Sequence, residues 1–208
     1  ENFVKTEAGN FGNLRLATAF NLLPKEVAEK GNSAYIALES MLTRGYFDAS
    51  QDFKRTNLFG KYRYAPDEKQ LLTASFSTFS SSWLASGQIP ERAVRSGRIS
   101  WFGSIDSTEG GRTSRTSLNL KHTLEYNSNT LIKNQLYFCD YAFELYSNFT
   151  FFFLVDANGD KIRQKEQRQL FGYNASVEKN YTLLNRDLRW ETGLFLRTDQ
   201  TKNSELSH

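Results

Sequence analysis

The sequence is poor in the residues that build small catalytic and metal centres. A single cysteine, Cys139, rules out a disulfide within the chain, and no Cys/His spacing suits zinc. Two histidines, His122 and His208, supply neither a His-centred triad nor a His-rich metal site. No catalytic residue, metal or cofactor is therefore expected. Proline is also scarce, with three in 208 residues. No run approaches the roughly 18 apolar residues of a membrane helix. That absence leaves membrane barrels open, because their strands alternate and score weakly on hydropathy. An excess of one charge is missing too: 26 Lys and Arg stand interspersed with 23 Asp and Glu, a net charge of +3. A nucleic-acid binder concentrates a basic face, so no nucleic-acid partner is expected.

Aromatic residues are plentiful. Seventeen Phe, ten Tyr and three Trp make up 14% of a chain whose total hydrophobic share is only 39%. A surface with one apolar and one polar side has that composition, and both β-sandwiches and membrane β-barrels have such surfaces.

The dominant period is two, which is the signature of a strand with unlike faces. From Arg115 to Tyr126, Leu118, Leu120, His122, Leu124 and Tyr126 share one side, while Arg115, Ser117, Asn119, Lys121, Thr123 and Glu125 share the other. Leu188–Thr198, Asn13–Leu22 and Gln169–Val177 repeat the pattern, with Phe195 as an exception. Weaker runs cover Ser33–Met41, Lys54–Tyr64, Leu71–Trp83 and Leu131–Leu154. These predict an all-β fold, an antiparallel meander of about eight long strands. Several reach the roughly nine to eleven residues of a tilted membrane-spanning strand, beyond the usual five or six of globular ones.

The connections sort by length. Ala65–Glu68, Asn127–Thr130 and Glu178–Arg186 are short, whereas Ala85–Arg115 and Val155–Glu166 are long and Leu23–Asn32 is intermediate. Long connections on one side and short turns on the other suit an outer-membrane barrel, with extracellular loops and periplasmic turns. Within the longest, Pro90–Gly97 predicts a turn or two of helix, opened near Pro90 and stopped by Gly97.

The wording of that stretch, "ASGQIPERAVRSGRISWFGSIDSTEGGRTSR" (Ala85–Arg115), resembles a long loop of TonB-dependent outer-membrane receptors of the Bacteroidetes type. Phe53–Tyr62, Glu144–Asn174 and Glu7–Leu23 extend the similarity through most of the chain. The resemblance implies the middle part of a 22-stranded barrel wall in a Gram-negative outer membrane. It implies active uptake of a scarce substrate, a metal chelate, cobalamin or a glycan, driven through the TonB system. Residues 1–208 are then expected to form a partial barrel domain without its plug, the charged start and the strand-like end being read as cuts in something longer. The implied partners are outer-membrane lipid and lipopolysaccharide, the protein's own plug domain and TonB system, and a small-molecule or chelate ligand.

Candidate residues follow from placement. Arg92, Arg95, Arg98, Trp101 and Arg112, read as loop residues, are candidates for ligand contact, since guanidinium forks suit carboxylate and phosphate and an indole stacks. Salt bridges to Glu91, Asp106 and Glu109, or contacts with lipopolysaccharide, are the plainer reading of the arginines. Arg115, Asn119, Lys121, Glu125, Arg189 and Glu191 are expected on the barrel-interior side. Trp83, Trp190, Tyr62, Tyr64 and Tyr126 suit an interfacial aromatic girdle, with Trp83, Trp101 and Tyr46 alternatively stacking on a ligand. Asp156–Gln167 begins like a calcium loop but has Lys161 and Gln167 where Gly and Glu belong. Asp106 and Glu109 form a carboxylate pair of the kind glycoside hydrolysis uses, though a lone pair in a loop is a weak signal. Two other classes stay open: a complete small barrel with an adhesive or structural role, and a soluble carbohydrate-binding β-sandwich.

Overall fold

A computed structural model describes residues 2–28, 30–151 and 159–207. Nine strands form one antiparallel meander: β1 (Phe3–Gly9), β2 (Asn13–Asn21), β3 (Ser33–Thr43), β4 (Phe53–Asp67), β5 (Gln70–Ala85), β6 (Glu109–Asn127), β7 (Thr130–Ser147), β8 (Ile162–Leu183) and β9 (Arg186–Ser207). Two short helices, α1 (Lys25–Ala28) and α2 (Glu91–Arg95), sit in connections. Each strand pairs with its chain neighbours, and β1 and β9 lie at opposite edges of the sheet. A closed small barrel needs those two paired; among the described residues they are not.

The alternating segments become strands, and β1 is added to them. Its "FVKTEAG" carries too little apolar contrast to stand out by period. The strands are also longer than the alternation suggests. β5 continues to Ala85 and β6 begins at Glu109, so the longest connection is Ser86–Thr108, and Arg112 and Arg115 are strand residues. β7 stops at Ser147, and β8 starts at Ile162, inside the expected loop. Residues 152–158, with Asp156 and Asn158 of the calcium-like stretch, fall outside the described residues.

Three hairpins at one end close through two residues each. In two of them an Asx turn does the closing: Asp67 Oδ1 accepts from the Lys69 N–H at 2.8 Å, and Asn127 Oδ1 from the Asn129 N–H at 3.0 Å. In the third, Leu184 and Asn185 both have positive φ, 51° and 56°, the backbone of a turn that matches strand twist. The opposite end carries the connections 44–52, 86–108 and 148–161, and only the 3₁₀ turn Asn10–Gly12 is short there. Helix α2 lies where Pro90 and Gly97 place it, with Gly97 at φ 71°.

Register gives the sheet two unlike faces. Leu58, Phe76, Leu118, Leu120, Leu136, Phe138, Phe171, Leu194 and Leu196 lie on one, and most of the exposed large apolar strand residues are there. No second layer covers this face: among the described residues the buried apolar side chains are Ala93 and Phe151, both in connections.

The apolar residues on that face form a diagonal band. In β2 it runs Leu14–Leu22, centred on Thr18. Thr18 shares one rung of the ladder with Leu38, Leu58, Thr78, Thr116, Asp140, Gln169 and, in β9, Gln200. The β9 band runs Leu188–Leu196, centred on Thr192, so it has slid eight residues toward the two-residue turns over seven strand steps. With a rise of about 3.3 Å per residue and strands about 4.8 Å apart, the strands cross the band about 38° from its normal. Toward the loop end, beyond the band, the same side turns mostly polar, with Ser80, Ser82, Arg112, Ser114, Glu144, Gln167 and Gln169, while the opposite side carries Phe79, Trp83, Phe143 and Leu145.

Candidate functional site

At the loop end, Asn148 ties the two longest connections together. Its backbone N–H donates to Glu109 Oε2 and its side-chain Nδ2 to Asp106 Oδ2, each at 3.0 Å. Asn148 is 2% exposed and Glu109 5%. The Ser104 hydroxyl lies 3.0 Å from the Ser86 carbonyl and 2.8 Å from that of Asp106, fastening the loop on itself. The Lys161 ammonium donates to Thr108 Oγ1 at 2.9 Å. Glu109 Oε1 has no hydrogen-bond partner among the described residues, and it sits where a Cβ on Gly87 would be.

Burial drives the Glu109 carboxyl above its ordinary value, and the charge of Asp106 adds to the rise against the Asn148 hydrogen bond. Burial pushes Asp106 up as well, but the hydrogen bonds from Asn148 and Thr108 outweigh it and hold that carboxyl below its ordinary value. The pair therefore serves the loop junction, with its oxygens turned to Asn148 and Thr108.

The loop arginines separate into distinct environments. Arg95 pairs with Glu91 at 2.5 Å across one turn of α2. Arg92 and Arg98 lie together around a depression with Ser96, Ile105, Thr150 and Phe151, and neither has an ion pair among the described residues. Among the described residues, Asp106 and Glu109 pair with no arginine, contrary to the plainer reading of the sequence. Arg112 has a partner that reading did not supply. Its Nε donates to Glu144 Oε2 at 2.6 Å, while Arg163 Nε at 2.7 Å and the Tyr146 hydroxyl at 3.0 Å donate to Glu144 Oε1. These bonds, Arg163 first, outweigh burial and hold the Glu144 carboxyl down at about 2. Arg112 is not a loop residue but a β6 residue fixed along one edge by a neighbouring strand.

Trp101 is 65% exposed at the loop tip, beside an aromatic cluster the sequence did not announce. Phe102 meets Tyr46 at 5.8 Å and Phe47 at 6.4 Å between ring centroids; Tyr46 stacks on Phe47 and meets Phe11 at 6.3 Å. The Asp48 N–H donates to the Phe102 carbonyl at 2.9 Å, and the Ser100 hydroxyl to Asp48 Oδ2 at 2.5 Å, so connection 44–52 holds the tip of 86–108.

Arg115, Asn119, Lys121, Glu125, Arg189 and Glu191 all fall on the polar face. Two charge networks, illegible from one strand alone, share it. Arg15 bridges Glu7 at 3.2 Å and Glu39 at 2.7 Å, and Glu39 also receives Arg55 at 3.1 Å and Asn57 at 2.7 Å. Glu178 receives Lys133 at 3.1 Å and Arg189 at 2.7 Å. Arg115 Nε points to Cys139 Sγ at 3.2 Å.

Of the expected girdle, Tyr62, Tyr64 and Trp190 lie on the apolar face near the two-residue turns, joined by Tyr181. Trp83 does not belong there: it shares a rung with Gly111 and Leu145 on the opposite face. His122 is on the apolar face as expected, 3.4 Å from Gln70 Oε1.

No known family profile matches the chain, and no characterised protein matches it in sequence.

Proposed function

We propose that the nine strands are part of the wall of an outer-membrane β-barrel of the TonB-dependent receptor kind in a Gram-negative cell. In this reading the polar face turns to the barrel interior. Connections 44–52, 86–108 and 148–161 form part of the ligand vestibule for active uptake of a scarce substrate. The observation that carries the wall reading is the diagonal band. Membrane strands tilt by about 35–45°, and a level lipid slab cuts tilted strands at positions that slide steadily along the register. The tilt of about 38° drawn from Thr18 and Thr192 falls within that range. Band segments such as Leu188–Leu196 match the roughly nine to eleven residues such a strand needs.

An uncovered apolar sheet also argues for lipid. A water-soluble sandwich packs its apolar face against a second sheet, and none is present among the described residues. Receptor function draws on less: the wording of Ala85–Arg115, the loops gathered at one end, and the charged inner networks that a plug would face.

The test is lipid-phase accessibility. Single cysteines at Leu118, Leu120, Ser117 and Asn119, with Cys139→Ser, would carry a fluorophore quenched by brominated lipid. Quenching is expected at Leu118 and Leu120 and not at their neighbours. Equal quenching of both sets, or a folded chain that stays in solution without detergent, removes the wall reading. Uptake is tested separately, by growth on iron chelates, cobalamin or glycans as the limiting nutrient, with the gene deleted and restored.

A further inference from the structure

We propose that the inward face of the wall, at its loop end, holds a pocket for a flat aromatic anion. This rests on the wall reading and names the chemical class of substrate that the vestibule takes. The pocket is separate from the loop arginines. Phe53, Arg55, Phe79, Ser81, Trp83 and Thr113 enclose about 490 Å³, and all six lie on the face opposite the apolar band. That volume is within the range of small-ligand sites, roughly 300–1,000 Å³.

The sheet exchanges its faces here. Level with the band, the inward side carries Ser77, Ser117 and Asn119. Beyond the band, Ser80, Ser82 and Ser114 lie outward, while Phe79, Trp83, Phe143 and Leu145 lie inward. A polar outward side suits water above the hydrocarbon. An apolar inward patch facing a wet interior calls for something apolar to lie against it.

The rungs set the rings around a slot. Arg55, Ser81 and Thr113 share one rung. Phe79 is two residues nearer the turns than Ser81, and Trp83 two residues nearer the loops, with Phe53 two residues past Arg55 in β4. A Cβ on Gly111 would stand 3.2 Å from Trp83 Cζ2, so the indole leans over a residue that has no side chain. Rings above and below Ser81 leave room between them for a ring of the ligand.

Hydrogen-bonding capacity in the lining is largely spent. The Thr113 hydroxyl donates to the Ala142 carbonyl at 3.1 Å. Thr43, at the edge of the pocket, donates to the Phe11 carbonyl at 3.4 Å and accepts from the Gly45 N–H at 3.2 Å. A glycan, whose hydroxyls each need a partner once buried, finds few here. Positive charge is not spent. Glu39 is shared by Arg15 and Arg55, and Glu7 by Lys5 and Arg15, so three cations face two carboxylates. Arg115, on the rung of Phe79, points its Nε at Cys139 Sγ and has no ion pair among the described residues. Apolar walls beside surplus positive charge select an aromatic ring that carries an anion.

The test uses the full-length protein in phosphatidylcholine nanodiscs, with empty nanodiscs as the blank. Naphthoate, its neutral amide and maltotriose are titrated without metal, and binding is read by saturation-transfer NMR. Heat-modifiable gel mobility reports folding. Naphthoate should bind more tightly than the other two. Trp83→Ala and Phe79→Ala should each weaken it roughly three- to tenfold, the loss of one ring contact. Arg55→Gln leaves Glu39 held by Arg15 and Asn57, and should erase the preference for naphthoate over its amide. Unchanged affinity in both folded ring variants overturns the pocket. Equal binding of the amide, tighter binding of maltotriose, or binding that appears only with iron(III) added does so too. Lipid quenching at Leu118 and Leu120 without naphthoate binding sinks the pocket alone; loss of that quenching pattern removes the wall reading, and the inward pocket with it.

Discussion

The backbone N–H of Asn148 donates to Glu109 Oε2 at 3.0 Å, joining the end of β7 to the start of β6 inside a shell where both residues are almost fully buried. Removing the Asn148 amide, as in Asn148→Ala, takes Nδ2 from Asp106 and leaves a half-buried carboxylate short of a donor. The expected cost is about 1–3 kcal/mol, confined to the junction. Hydrogen exchange should accelerate in 86–108 while β7–β8 amides keep their protection. Unchanged exchange in the loop would show that the junction is held elsewhere.

The same contact gives the loop a pH dependence of definite sign. Glu109 titrates above its ordinary 4.5 because burial disfavours its charged form. The folded junction therefore binds more protons than the opened one between 4.5 and the raised value, and its stability falls as pH rises through that window. Exchange rates of the loop amides, corrected for intrinsic chemistry, should rise over this range. The rise should vanish in Glu109→Gln.

Glu144 behaves in the opposite way. Arg163, Tyr146 and Arg112 hold its carboxyl near 2, against an ordinary 4.5. Its stabilisation is complete above about 4.5 and is lost as pH falls toward 2. Glu144→Gln should lower stability at neutral pH by about 2 kcal/mol, as hydrogen bonds to a charged group weaken. Urea-induced unfolding followed by tryptophan fluorescence should show the two proteins converging in acid. A constant gap down to the lowest pH would contradict this.

Two glycines with positive φ should respond very differently. At Gly110 φ is 140° and an added Cβ would fall 2.2 Å from the Trp83 carbonyl oxygen, whereas at Gly97 φ is 71° with open space around it. Gly97→Asn should cost under about 1 kcal/mol, since Asn tolerates the left-handed region. Gly110→Ala meets both backbone strain and a backbone clash and should cost on the order of 3 kcal/mol, opening the top of the β5–β6 ladder. Thermal unfolding of the two variants side by side checks the ranking.

How far the sequence carried is visible in β6. The alternation from Arg115 to Tyr126 already separates the two faces, because a strand bordered by unlike surroundings writes its period directly into the chain. Parity could also have placed Trp83, which is odd in a strand whose apolar side is Leu72, Ala74 and Phe76; proximity to a strand end was the weaker guide. Register was out of reach. Arg112 meets Glu144 across 32 residues, and Arg15 meets Glu39 across 24, so no local pattern records either pair. Asn148 carried no signal at all, since its role depends on two loops folding to one point. The diagonal band lies between these extremes: each segment is legible alone, but its slide exists only once the rungs are known.

That slide makes the sharpest demand on the wall reading, through two adjacent residues of β6. Leu120 lies on the apolar face in the middle of its band segment, and Asn119 lies on the polar face. A lysine at a lipid-facing site near the membrane midplane costs about 2–4 kcal/mol, falling toward zero near the interfaces. Leu120→Lys should therefore destabilise by that amount and Asn119→Lys by little. The slide also separates residues that share a rung. Leu42 shares its rung with Arg112, above the β6 band, yet lies at the edge of the β3 band. Thr116 shares its rung with Thr18, the middle of the β2 band, yet lies outside the band in β6. Thr18→Lys should then be costly and Thr116→Lys mild, although the ladder places them level. Equal costs at Thr18 and Thr116, measured by unfolding in lipid vesicles, would mean that the apolar boundary follows the hydrogen-bond rungs, and a tilted wall would no longer describe the sheet.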